Sequence, residues 1–586
     1  MISNAVQFFS YTCDFKTKMF TVTGTTYNKM EKVWSGPNLK NLYSDEMTLG
    51  EAIVRRLITT PGKVIQIMGT TGESLTALEF LKCSMNVAHN ILKMGLNCRD
   101  IVGLYAQHSV HEATVMMAAF LCGTPVHALF PGFDQKTVIS LYENTRPKFI
   151  FCDEENYESA LSANETLDLK ARIVVLTGQV QGVTHISELV QNGAQSLDIN
   201  AFPCTGLNGS DTAAILCSSG TTGTPKGVMC SHQALLYSNI YHTVTCDSVV
   251  LCFSTMYWAS GILNLISALL HSSLRIVPEK PYCPEYLLSL VKHYQITHVL
   301  CGGNQVAELA FHQSKKHVRE SLQSIDTLLC GGAKIPQLVQ EKLLDILSDN
   351  TKRPGMAVIY GLSEIAGGLS INGGYPYDFQ PFSEGKLWPN KRVCIVDKSD
   401  QRLGPNECGE ILVYSPYTWQ GYYQNSETTA NAMKGEWFCS GDIGYFDELG
   451  FLHVIGREKE MFKWNNFQIC PQPIEDVLLR LEGIAEVCVF PIPDMVSENL
   501  TACAIVRTPN EKGQELTVEM VNEYAVKNLD SIYLLIGGVY FMDYLPKTGS
   551  GKVQRHKVAS MIMNMKERNL VHTKSSIDHA VLNVCN

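Results

Sequence analysis

Ten consecutive residues, Ser218-Ser219-Gly220-Thr221-Thr222-Gly223-Thr224-Pro225-Lys226-Gly227, carry the densest oxyanion-handling chemistry in this 586-residue chain. Glycines let backbone N–H groups approach a phosphate closely, hydroxyls add donors, and Lys226 adds a point positive charge. The run directly follows an apolar, strand-like AAILC (213–217). Its spacing is not the G-x-x-x-x-G-K-[ST] of P-loop nucleotide hydrolases, which excludes that class. Glu364, in Tyr360-Gly361-Leu362-Ser363-Glu364, offers a hard carboxylate oxygen of the kind that holds Mg²⁺ alongside phosphates. Asp442, in Ser440-Gly441-Asp442, can accept from two sugar hydroxyls, although alone it is equally an ordinary turn aspartate. Arg457 has two readings, a nucleotide contact or a boundary salt bridge. Lys552 closes Pro546-Lys547-Thr548-Gly549-Ser550-Gly551-Lys552, a loop able to deliver positive charge to a crowded anionic transition state. By composition alone it is one more surface lysine.

Taken together and in this order, these stretches resemble the AMP-forming superfamily of acyl- and aryl-CoA synthetases, luciferases and adenylation domains. The similarity runs from about residue 50 to 560 and looks closest to 4-coumarate–CoA ligase-like and insect luciferase-like acyl-CoA synthetases. Gly456-Arg457-Glu458-Lys459-Glu460 resembles the family's hinge, and Gly409-Glu410 and Gly421-Tyr422-Tyr423 fit minor motifs. The resemblance implies an ATP-dependent acid–thiol ligase that uses ATP, Mg²⁺ and coenzyme A on a small-molecule substrate, a fatty or aryl carboxylic acid. It implies nucleotide contacts for Ser218, Ser219, Gly220, Thr221, Thr222, Gly223, Lys226, Gly331, Gly332, Ala333, Tyr360, Gly361, Ser363, Asp442 and Arg457. It assigns Mg²⁺ to Glu364 and Thr221, adenylation to Lys552, the thioester-forming state to Lys463 and Gln468, and the hinge region to Lys459.

Four positions depart from the family pattern. Asn466 replaces the glycine of a K-x-x-G turn, which puts coenzyme A binding in question. Ser363 and Ser440 replace threonines and keep the hydroxyl. Trp258 stands where many relatives have a histidine; it cannot accept a hydrogen bond or carry a proton, and is expected to wall the acyl pocket instead. Residues 251–270 contain no Asp or Glu. A buried substrate ammonium would have no partner there, so an uncharged acyl tail is expected. An adenylate-only or luciferase-like enzyme, and a non-catalytic acyl- or nucleotide-binding relative, are the competing readings.

The elements that must position these residues follow from composition and pattern. The chain is too long for one core, so at least two domains are expected. The net charge of -10 and the lack of a long basic tract exclude nucleic acid as the main ligand. Its 20 cysteines form no C-x-x-C pair, which argues against zinc ribbons and redox dithiols. No secretory signal and no terminal S-K-L address are apparent, so an intracellular location is expected, cytoplasmic or, by family analogy, peroxisomal. The uncharged run 113–133 is broken by Gly123, Pro125 and Pro131, and so reads as a buried helix and a strand rather than a membrane span.

Helix-like segments at 74–94 and 110–121 alternate with strand-like segments at 100–105, 148–152, 171–176 and 213–217. That alternation predicts an α/β fold with mostly parallel sheets. Short strands between 404 and 451 predict a small β-barrel subdomain. The expected domains are an N-terminal extension (1–48), an AMP-binding domain (49–457), a small hinged α+β domain (458–560) and a tail (561–586).

Overall fold

The computed structural model describes residues 24–40, 42–98, 100–191, 207–217, 226–238, 244–348, 355–373, 379–417, 419–465, 467–548 and 551–567. Two sheets form most of the large N-terminal domain. One has seven strands and the other nine. In the seven-stranded sheet Val102–Tyr105, Val126–Ala128, Phe149–Cys152 and Arg172–Val175 pair in parallel, and Thr212–Cys217 joins them through Val126–Ala128. In the nine-stranded sheet Val64–Met68, Leu274–Val277, Val249–Cys252, His298–Gly302, Thr327–Gly331 and Gly355–Leu362 form a continuous parallel run. Strands buried on both faces read as unbroken apolar runs such as FIFC, because helices cover both sides.

The helix Glu112–Cys122 is buried at every position, and Gly123 ends it in the left-handed region (φ 66°). It is the buried helix expected in the uncharged run, with the strand Val126–Ala128 behind it. The segment expected to be helix at 74–94 divides instead. Ser74–Thr76 is a strand pairing with Val64–Met68, and the helix runs Ala77–Lys93. The reason is local: Thr76 and Glu79 form a reciprocal capping box, worth about 1 kcal/mol, that fixes the helix start.

The third sheet is fully antiparallel and differs from expectation in two ways. It is open: its edge strands, Thr26–Asn28 and Met433–Lys434, do not pair with one another, so no closed barrel forms among the described residues. Strands of three and two residues supply too few hydrogen bonds for closure. It also recruits Thr26–Asn28 and Val33–Ser35, residues grouped with the N-terminal extension. Trp34 is 1% exposed there, stacked between Tyr27 and Phe446. Apolar burial of that one ring anchors the segment.

The last strand of this sheet, Leu452–Arg457, leads through the turn Glu458–Glu460 into a small C-terminal α+β domain. Ile484–Asp494, Glu498–Arg507 and Gly538–Met542 make its sheet, flanked by the helices Pro471–Leu478, Val518–Asn528 and Arg555–Glu567. Pro471 sits at the first helical turn, where its missing N–H is no loss. No described helix is long and apolar enough to cross a membrane.

Candidate active site

Four neighbouring parallel strands of the nine-stranded sheet end on the same side, at Cys252, Gly302, Gly331 and Leu362. Ligands in open α/β sheets bind outside such carboxyl ends. Gly331, Gly332 and Ala333 follow one strand, with Gly332 at φ +82°. Tyr360 and Gly361 close the next, at a bulge. A Cβ on Gly361 would lie 2.5 Å from the Gly367 carbonyl oxygen, so only glycine passes there. Ser363 and Glu364 form a 3₁₀ turn just beyond.

Asp442 lies at the centre of the cluster and is 4% exposed. Its Oδ1 pairs with Arg457 Nε at 2.7 Å, and the Tyr360 hydroxyl donates a short hydrogen bond to Oδ2. Strand register explains the first contact, since Asp442 is directly opposite Arg457. Arg457 Nη1 also donates to the Ser440 carbonyl at 3.1 Å. Burial pushes the Asp442 carboxyl up, and Arg457 and Tyr360 oppose that. Burial, then Asp442 itself, holds the Tyr360 hydroxyl well above its ordinary value. Each Asp442 oxygen keeps a second lone pair and can accept one further hydrogen bond.

Lys552 reaches this cluster from the small domain. Burial and then Arg457 lower its pKa, while Asp442, Glu460 and Glu364 favour its charged form. Its loop is closed by Thr548 N–H donating to the Lys552 carbonyl (2.8 Å) and Lys552 N–H donating to Thr548 Oγ1 (3.2 Å). Gly551, at φ +79°, lies against Asn304 of the large domain, 3.1 Å from where its Cβ would stand. Asn304, which no sequence signal marked, is thus part of the seat for the lysine loop.

Glu364 Oε1 accepts from the Tyr422 hydroxyl at 2.9 Å. Lys226 Nζ lies 5.0 Å from the centre of the same ring. Tyr422 was legible only as part of a minor motif, yet it ties the lysine to the carboxylate. It is placed there because 420–423 runs beside the strand Gly227–Ser231, with Tyr423 N–H donating to the Gly227 carbonyl at 2.8 Å. Ser218, Ser219, Gly220, Thr221, Thr222 and Gly223 lie outside the described residues. Their flanks, Cys217 and Gly227, are direct antiparallel partners. Among the described residues no group of three or more His, Cys, Asp or Glu could hold a metal ion. A cation at Glu364 would take its other ligands from phosphates and water, which is how Mg²⁺ is commonly held.

Lys463 and Gln468 are not in this cluster. They are exposed partners across the hairpin Phe462–Trp464/Phe467–Ile469 of the small domain. Lys459 is exposed in the connecting turn. Asn466 lies outside the described residues; its neighbour Asn465 adopts φ 45°. Trp258 is half-buried and packs edge-on against Tyr257 (4.4 Å), with Phe130 at 6.2 Å and Phe133 5.2 Å from Tyr257. These four rings form one aromatic cluster.

The family profile "AMP-binding enzyme" matches residues 55–423, and "AMP-binding enzyme C-terminal domain" matches 473–552. Luciferin 4-monooxygenase of Photuris pensylvanica is 26% identical over 514 residues, covering 85% of this chain and 92% of its own. 4-Coumarate–CoA ligase 3 of Oryza sativa subsp. japonica is 26% identical, covering 87% and 91%. The crystal structure of ATP-bound MatB from Rhodopseudomonas palustris superposes with a TM-score of 0.79 at 21% identity, covering 89% of this chain and all of that one. At that identity it supports the fold alone.

Proposed function

Since the chain belongs to the AMP-binding enzyme family, we propose that it joins an organic carboxylic acid to AMP and then transfers the acyl group to coenzyme A. The observation that carries this reading is Lys552, held by the small domain within electrostatic reach of Asp442, Arg457 and Glu364. The acid's carboxylate oxygen attacks the α-phosphorus of ATP, the bond to the β-phosphate oxygen breaks, and pyrophosphate leaves. Charge accumulates on the α-phosphate oxygens, and Lys552 neutralises it in a partly water-excluded site. Asp442, Tyr360 and Arg457 orient the sugar, and Gly331, Gly332, Ala333 and Gly361 leave room for the base. Lys226, Ser363 and residues 218–223 serve the phosphates. Glu364, with Thr221, would hold Mg²⁺, which when bound supplies further neutralisation of the triphosphate.

In the second step a thiolate attacks the acyl carbon and AMP departs. Lys463 and Gln468 are assigned to it, with the turn at Lys459 as the point about which the small domain moves. The aromatic cluster around Trp258 and the absence of Asp or Glu from 251–270 support an uncharged fatty or aryl acyl group.

Incubation with ATP, coenzyme A and medium-chain, long-chain and aromatic acids should release AMP and pyrophosphate and consume thiol. No thiol loss with any of them would defeat the ligase reading. A second reading, in which the adenylate passes to another acceptor such as oxygen, draws on the separation of Lys463 and Gln468 from the cluster. Pyrophosphate exchange without thiol loss would select it, and light emission would select a luciferase.

A further inference from the structure

Away from the Asp442 cluster, the N-terminal segment 35–39 and residues 390–392 and 416–417 line an open cavity of about 480 Å³. Lys391 lines it and is only 8% exposed. Its ammonium donates to Ser415 Oγ at 2.6 Å, and no carboxylate among the described residues pairs with it. Burial pulls its pKa down to about 8, with no opposing charge to restore it. An ammonium removed from water without a counter-ion is an unfavourable arrangement, normally met by a carboxylate or by neutralisation. Near neutral pH a group titrating at that value is still largely charged.

The walls complete the picture. The neighbouring Arg392 is already engaged, with its guanidinium 3.8 Å over the Tyr414 ring and 3.3 Å from Glu436. Asn390 holds the segment in place through reciprocal hydrogen bonds with the Leu39 backbone, both 2.9 Å. Gly36 packs so tightly on Trp388 that a Cβ would overlap its carbonyl. The cavity is therefore tied down on one side by these contacts, with an exposed amide at Asn38 and apolar surface from Leu39, Pro416 and Tyr417.

We propose that this cavity is a second ligand site, taking a small organic anion whose carboxylate or phosphate pairs with Lys391 and whose apolar part lies on Leu39, Pro416 and Tyr417. Full-length protein saturated with AMP is titrated calorimetrically with hexanoate, phenyl phosphate and, as the neutral control, hexanol. At least one anion should bind in one-to-one stoichiometry. The tighter of the two identifies carboxylate or phosphate as the preferred head group. Lys391→Met and the mouth-filling Asn38→Trp should each weaken that binding tenfold or more, whereas Lys552→Ala should leave it unchanged. Asn38 is exposed, so its variant tests the site even where the core substitution fails to fold. Binding of hexanol as tight as that of the anions, undiminished binding by Asn38→Trp, or binding lost with Lys552→Ala would each overturn the proposal.

Discussion

Lys552 is a lysine whose position makes its charge conditional. Burial lowers its pKa, and three carboxylates oppose the change. Activity that needs the ammonium should therefore decline as pH rises through a value below that of an ordinary lysine. Lys552→Ala should reduce pyrophosphate formation by roughly 100-fold or more, the scale of removing a preorganised transition-state donor. Lys552→Arg, whose charge persists, should shift the alkaline limb of the surviving activity upward. An unchanged alkaline limb would mean that another group controls it. Tyr360→Phe removes the donor to Asp442 Oδ2 and, with Asp442 assigned to the sugar under the proposed function, should raise the KM for ATP more than it lowers kcat.

At the scale of elements, the strand Leu452–Arg457 and the helix Pro471–Leu478 meet around Glu384, which is 8% exposed. Glu384 accepts from Val454 N–H at 2.7 Å, Lys334 donates to the Val454 carbonyl at 3.0 Å, and Asp476 lies 3.8 Å from Lys334. Burial raises Glu384 to about 7 despite Lys334. Its folded pKa exceeds its unfolded one, so its contribution to stability is fully present below about pH 4.3 and is lost as pH rises through about 7. Glu384→Gln should flatten that dependence and raise the unfolding free energy above pH 7 by up to about 3 kcal/mol, the free-energy equivalent of the shift. Urea titrations at pH 5 and pH 8 check this; a variant equally destabilised at both would show that the side chain's packing, not its charge, matters.

At the scale of the molecule, the two domains meet where the lysine loop seats on Asn304 and where Arg480 pairs with Glu341 (2.8 Å) and Gln337 (3.2 Å). The Arg480 pair is partly exposed and worth about 1 kcal/mol or less. A pair this weak would suit the domain movement that the proposed function assigns to the small domain. Arg480→Glu should therefore shift the balance between docked and undocked forms only a few-fold, read as a change in energy transfer between dyes on the two domains. Adding Glu341→Arg should restore it. A single substitution that unfolded the protein would show that the pair has a larger structural role.

The chemistry of the candidate site was written locally. Consecutive small and hydroxylated residues, a glycine that tolerates no Cβ at 361, and an aspartate in register with an arginine are properties of short stretches. The alternation of apolar runs likewise fixed the parallel α/β architecture, because strands covered on both faces must be apolar throughout. What the chain alone did not disclose depends on contacts between distant segments. Trp34 joining a sheet formed some 360 residues later in the chain is one example, and the failure of that sheet to close is another. Tyr422 bridging Lys226 and Glu364, and Asn304 meeting Gly551, are of the same kind. So is a buried lysine at 391 without a carboxylate beside it among the described residues. Residue type and spacing determine which groups can do chemistry, whereas burial, register and docking set which of them share a space and how strongly their charges are felt.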